Sequence, residues 1–328
     1  MKDLFPGLVA RMVPLVFSAH RKQRLSILIY HRVVPQRDEM RAGEPTVEEF
    51  DAQMRILREY FHPLPLVEAV ERLQSGSLPD GAVCVTFDDG YADNETHAMP
   101  VLKKYGVPAT VFVSTGFLNG GRMWNDTVIE VLRNCPDEVL DLRELNLDCY
   151  PLRSTEQRLD AVDSILQQIK HFDPQERLAL VTRIQKHGGK LPDDLMMTDA
   201  QVQSLARNGV SIGAHTVNHP ILSSIGGDIA RREVQESKQY LEALLQAPVD
   251  VFAYPNGRPD LDYKMEHRDM VRELGFKAAV STHWGVSTTT SDRYQLPRFT
   301  PWDRHPLKFA ARLLASYRNV DPLLAAVD

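Results

Sequence analysis

Short apolar runs alternate with helical segments along most of this chain, and this alternation limits the folds that it can adopt. The runs are rich in β-branched residues and are bounded by glycine, proline or aspartate, as is typical of buried strands. The segments between them carry apolar residues at helical spacing, and the clearest begins at a capping box formed by Thr46 and Glu49. The connections are long enough for neighbouring strands to pair in parallel. The predicted strands are Ser26–Tyr30, Ala82–Phe87, Ala109–Ser114, Val210–Ala214, Val249–Tyr254 and Lys277–Ser281.

We therefore predict an α/β fold with six or seven strand–helix units. The number of units favours a closed or nearly closed (β/α) barrel, although an open doubly wound sheet has the same alternation. Neither GxGxxG nor GxxxxGKS/T follows any of the predicted strands, which argues against a nucleotide-binding fold.

One stretch, 120–199, interrupts the alternation. It is mostly polar, and its periodicity predicts helices over Thr155–His171 and Pro174–His187. A structureless loop of this length is uncommon inside a compact domain. We interpret the stretch as a helical insertion or lid within a single barrel domain that spans 25–305.

Both ends of the chain carry segments outside this domain. In 1–24, the apolar run Leu4–Phe17 is interrupted by two prolines and an arginine. The run is too short to span a bilayer and lacks the unbroken apolar core of a secretory signal. We expect an amphipathic segment that packs on the domain or makes peripheral contact with a membrane. This favours a cytoplasmic location, or a peripheral one at the inner membrane, over a periplasmic or secreted one. For 306–328 we predict a C-terminal helix packed on the barrel.

Charge and cysteine content narrow the possible functions. The 328-residue chain has a formal net charge of −6 and no block of lysine or arginine, so we expect no nucleic-acid partner. Its three cysteines, Cys84, Cys135 and Cys149, form neither a CxxC motif nor a disulfide framework.

Polar side chains follow four of the predicted strands. The carboxyl ends of the strands hold the catalytic residues of (β/α) barrels, so we expect these side chains to converge. Two histidines four positions apart, with a carboxylate from another strand, match a metal site that has open positions for water and substrate. Pro220 disfavours helix at the second histidine, which places the pair in a turn. The residues concerned are His31, Asp88 and Asp89, His215 and His219, and the run Tyr254–Gly257.

Each of these motifs has a purely structural explanation when it is taken alone. Asp-Asp-Gly after a strand is a common turn, and HxxxH also describes two surface histidines. The adjacent carboxylates of Asp88 and Asp89 are nevertheless costly to bury without partners. Their coincidence with histidines at other strand ends favours a catalytic site.

The motifs TFDDGY, HTVNHP and FAYPNG together resemble those of the polysaccharide deacetylase superfamily, also called the NodB-homology or carbohydrate esterase family 4 superfamily. The resemblance extends over about residues 25–305, excluding the insertion. In motif order the chain is most similar to the permuted poly-N-acetylglucosamine deacetylases. The resemblance implies a distorted, TIM-like (β/α)7 barrel that removes acetyl groups from N-acetylated glycans with a divalent metal, commonly zinc.

The resemblance also implies roles for the motif residues. Asp88 would be the general base, and Asp89 would bind the metal together with His215 and His219. The two adjacent carboxylates would then have different tasks, because one is neutralised by the metal and the other accepts a proton from the attacking water. Asn256 would complete the oxyanion hole with its backbone N–H.

The chain departs from the family pattern at two places. Many relatives have Arg-Pro-Pro-Tyr where this chain has Ala-Tyr-Pro-Asn, so the arginine that orients the base is absent, and Arg298 in LPRF is the expected substitute. Tyr254 and Asn256 of this run remain the predicted substrate-binding or oxyanion residues. The Leu-x-x-His motif that holds the acid in some relatives has no clear equivalent either. His31, in the upstream motif YHRV, is therefore the candidate acid, with a core histidine as the alternative.

One aromatic residue of the insertion is also a candidate. Trp124, in MWND, either stacks on a sugar ring or anchors the insertion on the barrel.

These features predict a metal-dependent deacetylase that acts on an N-acetylated polysaccharide or a glycolipid-linked sugar, in the biogenesis of an exopolysaccharide or surface glycan. Two alternatives stay open. One keeps the fold and metal but hydrolyses a small amide or cyclic imide. The other is a catalytically inactive glycan-binding module, against which we note that the base position and every metal position are filled.

Overall fold

The computed structural model describes residues 23–318 and 324–325. The amphipathic segment expected over residues 1–24 lies outside these ranges except for its last two residues. No helix within the described ranges is both long enough and apolar enough to cross a membrane.

The described chain has a mixed α/β fold in which most strands are followed by a helix. The strands are β1 (Arg24–Tyr30), β2 (His62–Pro63), β3 (Ala82–Phe87), β4 (Ala109–Val113), β5 (Val139–Asp141), β6 (Cys149–Pro151), β7 (Ser211–Ala214), β8 (Val251–Ala253), β9 (Ala278–Trp284), β10 (Ser287–Thr288) and β11 (Leu296–Arg298). The helices are α1 (Val47–Tyr60), α2 (Leu66–Ser75), α3 (Met99–Tyr105), α4 (Trp124–Asn134), α5 (Thr155–Ile169), α6 (Pro174–Ile184), α7 (Asp199–Arg207), α8 (Gly227–Leu245), α9 (Met265–Glu273) and α10 (Pro306–Ser316).

Seven strands pair in parallel to form a barrel, in the order β1, β3, β4, β7, β8, β9 and β11. The two ends of this sheet meet beside β1. The backbone N–H of Ile29 donates to the carbonyl oxygen of Phe299 at 3.0 Å, and the N–H of Phe299 donates to the carbonyl oxygen of Ile27 at 2.7 Å. The predicted (β/α)7 barrel is therefore confirmed. Two short strands extend the sheet at its margins, with β2 beside β3 and β10 antiparallel to β1.

The six predicted strands are all present in the barrel, with small differences in length. The strand predicted over Val249–Tyr254 is the most shortened and contains only Val251–Ala253. The seventh strand, β11, is three residues long and contains Pro297. An apolar pattern cannot identify so short a strand, and proline argues against one.

Both faces of the barrel strands are buried, as expected for a parallel sheet that is covered by helices. In β1, Leu25 and Ile27 belong to one hydrophobic cluster, whereas Leu28 and Tyr30 belong to another. Polar side chains are accommodated best where the strands end and the loops begin.

The chain between β4 and α7 folds around a separate hydrophobic cluster, which includes Val128, Leu132 and Ile165 and also Met40 of the loop between β1 and α1. The helices predicted over Thr155–His171 and Pro174–His187 are observed as α5 and α6. Helix α4 and the two-stranded antiparallel sheet of β5 and β6 were not predicted.

The C-terminal helix α10 buries Phe309, Leu313 and Leu314 in the same cluster as Phe50 of α1. It therefore covers the barrel near the place where the sheet closes.

Candidate active site

The polar residues that follow the barrel strands lie together in one cleft with a volume of about 680 Å³, which we call the strand-end cleft. Strand ends form its floor, and the loop between β1 and α1 and the insertion form its sides. The candidate residues that line it are His31, Asp88, Asp89, Trp124, His215, His219 and Asn256.

Three of these side chains form a group that could hold a metal ion. Their ligand atoms, one each from Asp89, His215 and His219, all lie within 4.8 Å of one another. The Nε2 atoms of both histidines lie 3.4 Å from Oδ1 of Asp89. Nδ1 of His215 is bonded to the carbonyl oxygen of Ala253 at 2.7 Å. That bond assigns the proton to Nδ1 and leaves Nε2 as the free ligand atom.

The surroundings of this group suit a divalent cation. Oδ1 of Asp89 is buried and accepts no hydrogen bond from the described residues, and such an oxygen costs about 1–3 kcal/mol if nothing compensates it. Burial favours the protonated acid, but the neighbouring imidazoles lower the pKa of Asp89 below its ordinary value. Burial lowers the pKa of His219 to about 4. An ionised carboxylate and a neutral imidazole are the forms that bind metal.

Several residues of the site have a left-handed backbone conformation. The φ angles are 76° for Asp89, 65° for Thr216, 52° for His219 and 58° for Asn256. Such angles are uncommon for residues other than glycine and are found preferentially at functional sites. The backbone N–H of His219 donates to Oγ1 of Thr216 at 3.0 Å, so the histidine pair lies in a turn, as Pro220 predicted.

Asp88 is held quite differently from Asp89. The guanidinium of Arg298 donates to both of its carboxylate oxygens, with NH1 2.7 Å from Oδ1 and NH2 2.6 Å from Oδ2. The arginine is fixed in turn by bonds to the carbonyl oxygen of Ser281 at 2.8 Å and to Oγ1 of Thr86 at 3.2 Å. Burial alone would raise the pKa of Asp88, but Arg298 lowers it below the ordinary value. The structure thus brings the predicted substitute arginine to Asp88.

His31 lies at the end of β1 and lines the same cleft. Burial alone would lower the pKa of its imidazole, but the carboxylates of Asp89, Glu44 and Asp88 outweigh burial and raise it above the ordinary value. The carbonyl oxygen of His31 accepts a hydrogen bond from Nδ2 of Asn94 at 2.8 Å. The positively charged form, which can donate a proton, is therefore favoured.

A family model provides the first comparison with known proteins. The model described as polysaccharide deacetylase matches residues 75–144 and 161–279, which together make up more than half of the chain. This chain belongs to the polysaccharide deacetylase family. The enzyme class predicted from the motifs is thereby confirmed at the level of the family.

Individual relatives extend this similarity. The deacetylase is 24% identical over 283 residues to YxkH of Bacillus subtilis, which is named as a polysaccharide deacetylase; the match covers 86% of this chain and 72% of that one. It is 33% identical over 81 residues to the poly-β-1,6-N-acetyl-D-glucosamine N-deacetylase of Staphylococcus epidermidis, covering 24% of this chain and 28% of that one.

Solved structures share the fold of this deacetylase. The Streptococcus pyogenes deacetylase PplD has a TM-score of 0.59 at 23% identity, with 89% of this chain and 97% of that chain covered. IcaB from Ammonifex degensii has a TM-score of 0.56 at 20% identity, with 88% and 97% covered.

The run after β8 contributes only one of its two predicted residues to the cleft of the deacetylase. Asn256 lines the cleft, and we find no hydrogen bond from its backbone N–H to any described residue. The backbone carbonyl oxygen of Asn256 accepts a hydrogen bond from the hydroxyl of Thr282, which fixes this part of the loop.

Tyr254 is placed elsewhere. Its side chain is 0% exposed and stacks on Tyr263 with ring centroids 3.9 Å apart, and its hydroxyl donates to the carbonyl oxygen of Tyr294 at 3.0 Å. Its backbone N–H donates to the carbonyl oxygen of Val280 at 3.2 Å. The structure contradicts the prediction that Tyr254 contacts the substrate, because the side chain points into the core and the N–H is already bonded.

Trp124 stands at the start of α4 and lines the cleft. The guanidinium of Arg177, on α6, lies 4.6 Å from the centroid of its ring. The residue therefore touches both the insertion and the cleft, and both of the roles considered for it from the sequence are compatible with this position.

Sequence reasoning missed a network of buried polar contacts that joins the insertion to the barrel. NH2 of Arg41 lies 2.7 Å from Oδ1 of Asp126 and 3.2 Å from Oε1 of Glu130. The hydroxyl of Tyr91 donates to Oδ2 of Asp126 at 3.0 Å. The only signal available in advance was Tyr91, which follows Asp-Asp-Gly directly in the motif.

Proposed function

We propose that this deacetylase uses a divalent metal, zinc, to remove N-acetyl groups from a polysaccharide or a glycolipid-linked sugar during the biogenesis of an exopolysaccharide or surface glycan. The observation that carries the proposal is the pair of differently held carboxylates in one cleft. Both oxygens of Asp88 are bound by Arg298, whereas Oδ1 of Asp89 faces two imidazoles. The activity named for the Staphylococcus epidermidis relative supports a polymer of N-acetylglucosamine as the substrate.

Asp89, His215 and His219 would hold the metal. One carboxylate and two imidazoles suit zinc and leave positions for water and substrate. When bound, the metal supplies Lewis-acid chemistry, which polarises a carbonyl group and makes a water molecule more acidic. Asp88 is unsuited to this group, because the guanidinium of Arg298 already occupies both of its oxygens.

Asp88 would act as the general base. Its lowered pKa keeps it ionised near neutral pH, so it can accept a proton from the water that attacks the acetyl carbonyl carbon. The bidentate contact with Arg298 fixes the direction in which the carboxylate faces. Each carboxylate thus has one task that its contacts favour.

The remaining groups would serve the tetrahedral intermediate and its breakdown. The backbone N–H of Asn256 would stabilise the negative charge that develops on the former carbonyl oxygen. When the C–N bond breaks, its electron pair goes to the sugar nitrogen, which takes a proton from the imidazolium of His31. The products are acetate and a free amine on the sugar.

The test is acetate release from a panel of N-acetylated oligosaccharides, with and without a chelator. We expect release from oligomers of N-acetylglucosamine, its loss with chelator, and recovery when zinc is added back. Activity confined to small amides or cyclic imides would favour the small-molecule hydrolase. Tight oligosaccharide binding without release would favour the inactive glycan-binding module.

A further inference from the structure

Trp302 is an exposed aromatic residue that the proposed reaction does not use. Its relative exposure is 62%, which is high for an indole ring with two large apolar faces. A single exposed apolar residue needs no explanation by itself. Its position in the fold decides whether the exposure has a function.

Residues on both sides of Trp302 lie in the strand-end cleft or next to it. Its backbone N–H donates to the carbonyl oxygen of Thr300 at 3.1 Å, and Thr300 lines the cleft. Two residues further on, the guanidinium of Arg304 donates to the carbonyl oxygen of Ala42. Both chain neighbours of Ala42 line the cleft. Trp302 therefore stands at the rim, where the end of β11 meets the loop between β1 and α1.

A second exposed tryptophan stands at the neighbouring strand end. Trp284 is the last residue of β9 and is 40% exposed. The ring of Trp284 lies 6.3 Å from that of the buried Phe299, which follows Arg298 in the chain. The Cα atom of Trp284 pairs with that of Arg298 in β11. Trp284 thus stands beside the end of β11, the strand that Trp302 follows.

We propose that Trp284 and Trp302, which we call the aromatic rim, form an outer subsite that stacks on pyranose rings of the glycan chain beyond the sugar that loses its acetyl group. This inference rests on the proposed function for the nature of the ligand. The faces of a pyranose ring present C–H groups, which complement the electron-rich face of an indole. A tryptophan side chain also has only two torsions to order on binding, so its contribution is large for its entropic cost.

Exposed tryptophans also occur in proteins that rest on membranes, where the ring lies at the headgroup level. The position of the aromatic rim favours a glycan, because both tryptophans stand by the end of the strand that leads to Thr300 of the cleft, and this cleft also holds the candidate base and metal group. A long substrate that enters this cleft has to pass its edge.

Binding of β-1,6-linked N-acetylglucosamine oligomers to the full-length chain tests the aromatic rim. Calorimetry in an Asp88→Asn background prevents turnover during the measurement. We expect Trp302→Ala to raise the Kd of a hexasaccharide about tenfold, as for a tryptophan anchor at an interface. The effect on a disaccharide should be smaller, because a short ligand does not reach the rim. Trp302→Phe should retain most of the affinity, because an aromatic face remains.

Leu178→Ala is the matched control. Leu178 has the same relative exposure, 62%, but lies on α6 and is not among the residues that line the cleft. Its substitution should leave both dissociation constants at the wild-type values.

An unchanged hexasaccharide Kd in Trp302→Ala would overturn the aromatic rim. Reduced binding of Trp302→Ala to phosphatidylglycerol vesicles, with its oligosaccharide affinity intact, would overturn it as well. Acetate release without the Asp88 substitution is measured separately. If the parent chain releases no acetate but Trp302→Ala binds the hexasaccharide more weakly, the result would support the aromatic rim and contradict the proposed reaction. Acetate release by the parent chain, together with unchanged hexasaccharide binding in Trp302→Ala, would support the proposed reaction and contradict the aromatic rim. Absence of hexasaccharide binding to the parent chain would overturn both.

Discussion

The barrel side of the strand-end cleft and its insertion side hold their charged groups in different ways. On the barrel side, Asp88 and Arg298 form a bidentate pair between two strands, and Asp89 faces two histidines that follow a third. On the insertion side, Arg41 and Tyr91 meet the buried carboxylate of Asp126. Arg41 and Tyr91 line the cleft as Asp88 and Asp89 do, but the first set holds the groups proposed to react, whereas the second joins the insertion to the barrel.

This difference shows that one part of the fold holds the reactive groups while another part forms the wall of the cleft. Reactive groups stand at strand ends, where the barrel limits their movement and each charge has a specific partner. The insertion has a separate hydrophobic cluster, which also includes Met40 of the loop between β1 and α1, and polar contacts join it to the barrel. Substitutions on the barrel side should therefore change the rate, and those on the insertion side should change stability.

The largest effect is expected at the base. Asp88→Asn preserves the shape of the side chain but removes the proton acceptor, so kcat should fall by about 10²–10⁴-fold. The bound metal should remain, because Asp88 is not one of its ligands. Acetate release and elemental analysis measure the two quantities.

Asp89→Asn is the matched control, one residue along the chain. It should lose metal first and recover part of its activity at high metal concentration. If Asp88→Asn strips the metal and Asp89→Asn keeps it, the roles are reversed and the comparison fails.

The next largest effect is expected at His31, through the pH profile. The acid works in its protonated form, so kcat should fall as pH rises through its pKa. The midpoint of this fall gives the pKa of His31 in the metal-loaded enzyme, in which the metal would neutralise Asp89, one of the carboxylates that raise that pKa. His31→Gln should remove this alkaline limb and lower kcat on an amide by about 10²-fold.

An ester substrate should be affected less by His31→Gln, since an alkoxide leaving group needs less protonation than an amine. Equal losses on amide and ester, with the alkaline limb still present, would mean that His31 is structural.

A smaller effect is expected at Arg298. Lysine keeps the charge but loses the bidentate contact, which should lower kcat about tenfold. With less compensation for burial, the pKa of Asp88 should rise from its lowered value. The base works deprotonated, so the acid limb of the kcat profile should move to higher pH.

Arg312→Lys is the control for Arg298→Lys. Arg312 pairs with Asp303 at the surface, outside the cleft, so both the rate and the profile should stay at wild-type values. An Arg298→Lys profile that coincides with the wild type would show that the arginine does not tune the base.

The smallest effect on rate is expected on the insertion side. Tyr91→Phe leaves Oδ2 of the buried Asp126 without its hydrogen bond, so the free energy of unfolding should drop by about 1–3 kcal/mol. The value of kcat should change by less than about threefold, because no reacting group moves. Urea denaturation measures the free energy of unfolding, and acetate release measures kcat.

Tyr105→Phe is the control for Tyr91→Phe. Its hydroxyl donates to a partly exposed carboxylate, Asp51, at 2.8 Å, so water can replace the bond and the free energy of unfolding should change by less than about 0.5 kcal/mol. A large rate loss in Tyr91→Phe would mean that the insertion side also takes part in chemistry.

The barrel could be predicted from the sequence because its strands are short apolar runs that stand out from their surroundings. The base and metal group could be predicted because they follow such runs directly. The contact between Arg41 and Asp126 could not, because it joins two segments that no local pattern relates. Its two residues look like ordinary surface charges in the sequence.

Tyr254 shows a different limit. Its place at a strand end is visible in the sequence, but the direction of its side chain is set by packing on Tyr263. Arg298 is the opposite case. The resemblance to the family identified this residue from the sequence, but the strand that holds it, β11, was not predicted. A motif can therefore mark a functional residue where the local pattern does not reveal the element that holds it.

The pairing of Asp88 with Arg298 has a consequence for how the protein is made. The two residues are 210 positions apart, and Arg298 belongs to the last strand that closes the barrel. During synthesis, the growing chain has to carry the Asp88 carboxylate without its cation until nearly all of the barrel has left the ribosome. A nonsense mutation that ends translation before residue 296 should therefore yield a product without hydrolytic activity, even though it retains every residue proposed to bind the metal.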